Sequence, residues 1–118
     1  MRVMTNEPFR VQARPGAKSG VQILTAKGAI TFVSSQALVD AALAVTDPKL
    51  VIDLTDVPSV DSMAVGALVR TYVHCQKSGR RLVFVGMGPR VQNVLRLTGV
   101  DPLFDLYATV AEAEAAIG

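Results

Sequence analysis

The sequence is poor in the residues that most often carry chemistry. Among its 118 residues there is no Trp, one Cys and one His. A lone Cys75 excludes an internal disulfide and any metal motif built on paired cysteines. A chain that makes no disulfide of its own suits a reducing compartment. Aromatic residues are only 5% of the chain, so the core must be assembled from Val, Leu, Ile and Ala. Excess charge is also scarce: twelve Lys and Arg face ten Asp and Glu, a formal net charge of +2. Such a field is too weak to hold nucleic acid by itself. The basic residues that do gather, Lys77, Arg80, Arg81, Arg90 and Arg96, read as solvated helix ends and turns. No run approaches the roughly 18 continuous apolar residues of a spanning helix. Residues 1–14 hold Glu7, Pro8 and several Arg, with no apolar segment of the secretory kind. The expectation is a cytoplasmic protein with no membrane insertion and no nucleic-acid partner.

What is present is apolar patterning. Half of the residues are hydrophobic, and the length suits one compact domain. Residues 1–9 lack periodicity and read as a loose N-terminal arm, leaving 10–118 as the domain. Residues 9–13 and 21–26 alternate like strands and flank a Pro/Gly turn cluster, which predicts a hairpin. Ser34 or Ser35 is the expected N-cap of a first helix carrying Leu38, Ala41, Ala42 and Val45. Asp47-Pro48 stops that helix. Residues 50–54 and 82–85 are short, nearly continuous apolar runs, as in central strands covered on both faces. Between them, helical periodicity starts at Asp61, runs through Val65, Leu68, Val69, Tyr72 and Cys75, and ends at Gly79. A third helix follows Pro89, residues 104–107 form a last strand, and Thr109 with Glu112 makes a capping box for a final helix. Alternating strands and helices predict an α/β fold: a mixed, largely parallel sheet with about four flanking helices.

Three constellations invite a catalytic or ligand-binding reading. His74 and Cys75 are adjacent, but neighbours on a helix point about 100° apart and do not face each other. Gly86-Met87-Gly88 joins a strand to a helix, yet Val91 replaces the third glycine of a dinucleotide loop and no Walker lysine follows. A tight turn is the simpler assignment. Asp53, Asp56 and Asp61 follow a central strand, where parallel sheets place their sites. No Lys, Asn or second acidic cluster completes a cation site, so they read as turn-forming and capping residues. The expectation is a protein with no cofactor, metal or nucleotide and no enzymatic activity. An enzyme or nucleotide-binding domain using residues 86–88 and the acidic strand end is the alternative from another class.

Residues 55–66 read Thr-Asp-Val-Pro-Ser-Val-Asp-Ser-Met-Ala-Val-Gly. A buried strand feeds a short loop, and Asp61-Ser62 falls where helical periodicity begins. A hydroxyl there stands near free helix N–H groups, where about half a positive charge favours an anion. No base is identifiable to turn Ser62 into a nucleophile. A plain N-cap serine is the structural alternative.

These residues resemble the signature of the STAS family, whose domains occur in anti-sigma factor antagonists and at the cytoplasmic end of sulphate transporters. The resemblance runs from Val51-Ile52-Asp53-Leu54 through Asp61-Ser62 and Gly66. It continues in Arg81-Leu82-Val83-Phe84-Val85, Pro89-Arg90-Val91 and Leu95-Arg96-Leu97-Thr98-Gly99-Val100, covering about residues 20–117. It implies an anti-sigma factor antagonist that binds an anti-sigma factor, itself a serine kinase. It further implies that Ser62 is the phosphoacceptor, that phosphorylation switches binding off and that a phosphatase restores it. Asp61, Met63, Ala64, Thr31 and Phe32 are then the expected partner-binding residues.

The chain departs from the family pattern in three places. Met63 and Ala64 stand where a second hydroxyl residue and a glycine are common, which places an extra side chain near the surface a kinase approaches. Ala29 and Thr31 stand where antagonists tend to carry acids. Residues 28–32 read like the transporter-linked branch. The alternative implied is an unmodified STAS scaffold, or an accessory subunit of a transporter ATPase or stress-sensing complex. In that case Met63, Ala64 and Val65 form an apolar docking patch.

Overall fold

A computed structural model describes residues 8–118; residues 1–7 of the expected arm lie outside the described residues. Five strands form one sheet in the order β1 (Arg10–Pro15), β2 (Val21–Lys27), β3 (Lys49–Asp56), β4 (Arg81–Val85) and β5 (Leu106–Tyr107). β1 and β2 form the antiparallel hairpin, and every later pairing is parallel. The helices are α1 (Ser35–Ala44), α2 (Val65–Lys77), α3 (Pro89–Leu97) and α4 (Val110–Ile117).

Because β2 to β5 lie in sequence order, right-handed crossovers put α1, α2 and α3 on one face. The packing agrees. Leu24, Leu50, Ile52, Leu54 and Phe84 point towards Leu38, Leu68 and Leu95 in the main core. Alternate residues of the same strands, Ile23, Val51 and Val83, meet Ala113 and Ile117 of α4 on the other face. Both faces of β3 are thus buried, which explains its unbroken apolar run.

The helix ends explain several sequence signals. Gly79 (φ +72°) ends α2. Arg80 N–H donates to Cys75 C=O and Gly79 N–H to Gln76 C=O, the bond pair of a Schellman stop. Gly99 ends α3 in the same way. The Thr109 hydroxyl accepts from Glu112 N–H at 3.1 Å, forming the expected box. The last strand is shorter than expected, because residues Asp101–Leu103 form a 3-10 turn and only Leu106 and Tyr107 pair with β4. Phe104 instead enters the core and packs edge-on against Tyr72 and Phe84.

Two assignments require correction. Ser34 occupies the N-cap position of α1, but its side chain makes no cap bond. Its hydroxyl turns back to donate to Ala29 C=O at 2.9 Å and accepts from Thr31 N–H at 2.8 Å. The second helix does not start at Asp61: α2 begins at Val65, after a turn of residues 62–64. The turn is built from short-range bonds, Ala64 N–H to Asp61 C=O and Val65 N–H to Ser62 C=O. The lead-in therefore looks helical in sequence without being part of the helix.

Candidate docking site

Past the ends of β2 and β3, the sheet is prolonged by one parallel bridge between Ile30 and Val60. Ile30 N–H donates to Ser59 C=O at 3.0 Å, and Asp61 N–H donates to Ile30 C=O at 2.8 Å. Both side chains are buried, Ile30 completely. Immediately after the bridge each segment makes a four-residue turn, 31–34 and 61–64, and enters a helix. Thr31, Phe32, Val33, Ser34 and Ser35 thus stand in the same order as Asp61, Ser62, Met63, Ala64 and Val65.

The first residue of each turn organises it with a side-chain oxygen. Thr31 Oγ1 accepts from Ser34 N–H at 3.0 Å, and Asp61 Oδ1 accepts from Met63 N–H at 2.8 Å. Asp61 therefore shapes the lead-in turn rather than capping α2 directly. The next two residues of each turn face solvent. Phe32 is 65% exposed, Val33 83% and Met63 69%, and Ser62 is exposed between them in the turn pattern. Three large apolar side chains exposed on two bridged turns make an apolar surface patch.

The expected partner-binding residues divide accordingly. Thr31, Phe32, Asp61 and Met63 are exposed on the paired turns with Ser62. Ala64 is not: its exposure is 0%, and Val65 beside it is 4% exposed. The fourth position of the turn points inward because the following helix must start with its apolar stripe against the sheet. Ala64 and Val65 belong to the core, and the methyl group at residue 64 places nothing in the path of an approaching protein. Val33, the most exposed apolar residue here, escaped the sequence reading. Its signal was an apolar pair, Phe32-Val33, placed directly before a helix start.

The other constellations stay separate. Cys75 is buried and His74 exposed, so they do not meet. Burial pushes the Cys75 thiol up from its ordinary 9.0, with Arg80 opposing part of the rise. Among the acids, Asp53 accepts from Thr55, Asp56 lies 4.0 Å from Lys27, and Asp61 is engaged with its own turn. Among the described residues no group of three or more His, Cys, Asp or Glu converges. Gly86 adopts φ +74° with its Cα against Thr55, where a Cβ would collide with that side chain. The glycine serves close strand-to-loop packing. An open groove of about 620 Å³ runs beside the paired turns, lined by Phe9, Lys27, Gly28, Ala29, Thr31 and Pro58 among others. Among the described residues no helix is long and apolar enough to cross a membrane.

A mixed sheet with three helices on one face and one on the other, ending in two bridged turns that display a hydroxyl among apolar side chains, defines a small α/β module with one conspicuous surface. The sequence profile of the STAS domain matches residues 12–113, and the chain belongs to this family. Over 65 residues it is 34% identical to a candidate anti-sigma factor antagonist of Thermotoga maritima, a match covering 55% of this chain and 58% of the relative. The chain thus spans little more than half the length of the curated relatives it matches. The crystal structure of an anti-sigma factor antagonist from Mycobacterium paratuberculosis is similar, with a TM-score of 0.78, 31% identity and coverage of 95% and 97% of the two chains. The phosphorylated form of the Bacillus cell fate determinant SpoIIAA shares the fold at a TM-score of 0.65, with 14% identity and coverage of 94% and 100%.

Proposed function

We propose that this protein is an anti-sigma factor antagonist that docks through the bridged turns onto an anti-sigma factor with serine kinase activity, and that phosphorylation of Ser62 ends the docking. The observation that carries this reading is the place of Ser62, exposed on a turn whose neighbours are Phe32, Val33 and Met63. The antagonist relatives described above support the partner class.

The switch follows from electrostatics. A phosphoserine adds about −1.5 to −2 charges. Two unit charges about 4 Å apart at an effective dielectric near 20 interact by about 4 kcal/mol. Facing a partner carboxylate, that repulsion weakens docking about a thousandfold. The Ser62 side chain already faces solvent, so the modification needs no change of fold. The field of α2 gives the phosphate less relief than the sequence suggested, because the helix starts three residues later and its influence is confined to its first turn. Asp61, exposed beside it, adds to the repulsion.

Incubation with the cognate kinase and ATP, followed by mass spectrometry, tests the reading. The expected result is the gain of one phosphoryl group in the wild type and none in Ser62→Ala, with docking lost on modification. A modified protein that docks as tightly as the free one would remove the switch. Met63 stands where the family commonly has a second hydroxyl, and its exposure favours a second reading, an unmodified scaffold that docks constitutively. That reading requires docking with no phosphoryl gain.

A further inference from the structure

We infer that Arg70 holds the phosphoryl group once it is on Ser62, folding back along α2 to pair with it. The inference rests on the reading of Ser62 as a phosphoacceptor and names the group of this chain that receives the phosphate. Gly66 lies in the first turn of α2, and the Arg70 guanidinium reaches it: Nη1 stands 3.7 Å from the place a Cβ of Gly66 would take. Helical side chains lean towards the N-terminus, and residues four apart share a face. Ser62, Gly66 and Arg70 recur at that spacing and all three are exposed, while Ala64, Val65, Ala67 and Leu68 between them are buried. Ala64 has φ −77° and ψ −16°, so the lead-in turn follows a right-handed helical path and carries the stripe back to Ser62. With no side chain at Gly66, the strip between hydroxyl and guanidinium is clear.

The guanidinium is uncommitted: among the described residues Arg70 forms no ion pair. Asp40, on the helix α1 that packs against α2, accepts instead from the Gln36 amide at 2.8 Å. Asp61 is turned to its own loop, with Oδ1 accepting from Met63 N–H. Ser62 and Gly66 are one turn, about 6 Å, apart, a gap that a phosphoseryl arm and a guanidinium close from opposite ends. A phosphate offers three acceptor oxygens, and the planar guanidinium fork matches two of them. The clamp changes what a partner meets. Before modification a free cation stands at the edge of the docking surface. Afterwards that cation is engaged, and the remaining negative charge is fixed in place.

The test installs phosphoserine at residue 62 of the full chain by codon suppression, without any kinase, and follows its phosphorus-31 resonance against pH. An unpaired phosphoserine loses its second proton near about pH 6. A neighbouring guanidinium favours the dianion, so the midpoint in the wild type should lie about half a pH unit below that of Arg70→Gln. Arg70→Lys should restore part of the difference, since it keeps the charge and loses the fork. Lys77→Gln removes the same charge two turns further along α2 and should leave the midpoint within about 0.1 unit. Asp61 raises the midpoint in every variant alike and cancels from the comparison. The Arg70 Nε–H resonance should also shift between the serine and phosphoserine forms, which an arginine that only covers the helix would not do. Equal midpoints in the wild type and Arg70→Gln, an equal change in Lys77→Gln, or an unmoved Arg70 resonance would each overturn the clamp. Because the phosphate is installed directly, failure of the kinase to modify Ser62 would remove the proposed switch without altering this result.

Discussion

The turn before α1 and the turn before α2 share a backbone path and differ in how they use their polar atoms. In the first, Thr31 and Ser34 spend their hydroxyls on each other and on the Ala29 carbonyl. In the second, Asp61 alone organises the turn, Ala64 fills the core, and Ser62 faces solvent. One turn is closed on itself, with its hydroxyls engaged and Phe32 and Val33 turned outward. The other offers a hydroxyl that can be modified without disturbing a bond that holds the turn. The comparison teaches that the hydroxyl proposed as the switch, on Ser62, stands where the local structure does not depend on it.

The largest effect expected concerns docking. Phe32→Ala should leave folding unchanged and weaken association with the proposed anti-sigma factor partner by about 2 kcal/mol, near thirtyfold, as for an exposed aromatic anchor. Titration calorimetry measures it, and unchanged affinity would remove the first turn from the interface. A smaller effect separates the turns by stability. Ser34→Ala should cost about 1–2 kcal/mol in urea unfolding, since it strands Thr31 N–H and the Ala29 carbonyl. Ser62→Ala should stay within about 0.5 kcal/mol. Similar costs for the two serines would erase the contrast. The smallest lies at the far end of α2, at Cys75. Its folded pKa is raised by burial, so the fold favours the neutral thiol. The stabilisation is complete below the ordinary value of 9.0 and is lost as pH rises through the raised folded value. Stability should therefore fall more steeply above pH 9.0 in the wild type than in Cys75→Ala, as followed by thermal melts across that range.

Much of the fold was legible because burial writes directly into composition. Residues 50–54 and 82–85 are apolar without interruption, and they are the strands covered on both faces. Gly79 and Gly99 stand where left-handed stops occur. The site was legible in its position and less so in its boundaries. Asp61 reads as a helix cap, since the bond it makes to a backbone N–H two residues on is the bond a cap makes. Only the chain path shows that this bond closes a turn three residues early. Ala64 carries no mark of its depth, because a methyl group suits surface and core alike. Glu114 is the reverse case. It looks like a solvated residue of α4, yet it is buried, with Oε1 accepting from Lys18 N–H and lying where a Cβ of Gly16 would be. That contact joins residues ninety-six apart in sequence, a distance no local pattern spans.

The single bridge at Ile30 and Val60 acts as a yoke. To shift one turn relative to the other, the chain must give up two backbone bonds and uncover two side chains that water does not reach. The two tips therefore travel as one rigid piece, and a protein that grips them has little internal motion to freeze. Association of this kind surrenders less entropy than the ordering of a loose loop would, so recognition should resemble a key entering a lock already cut.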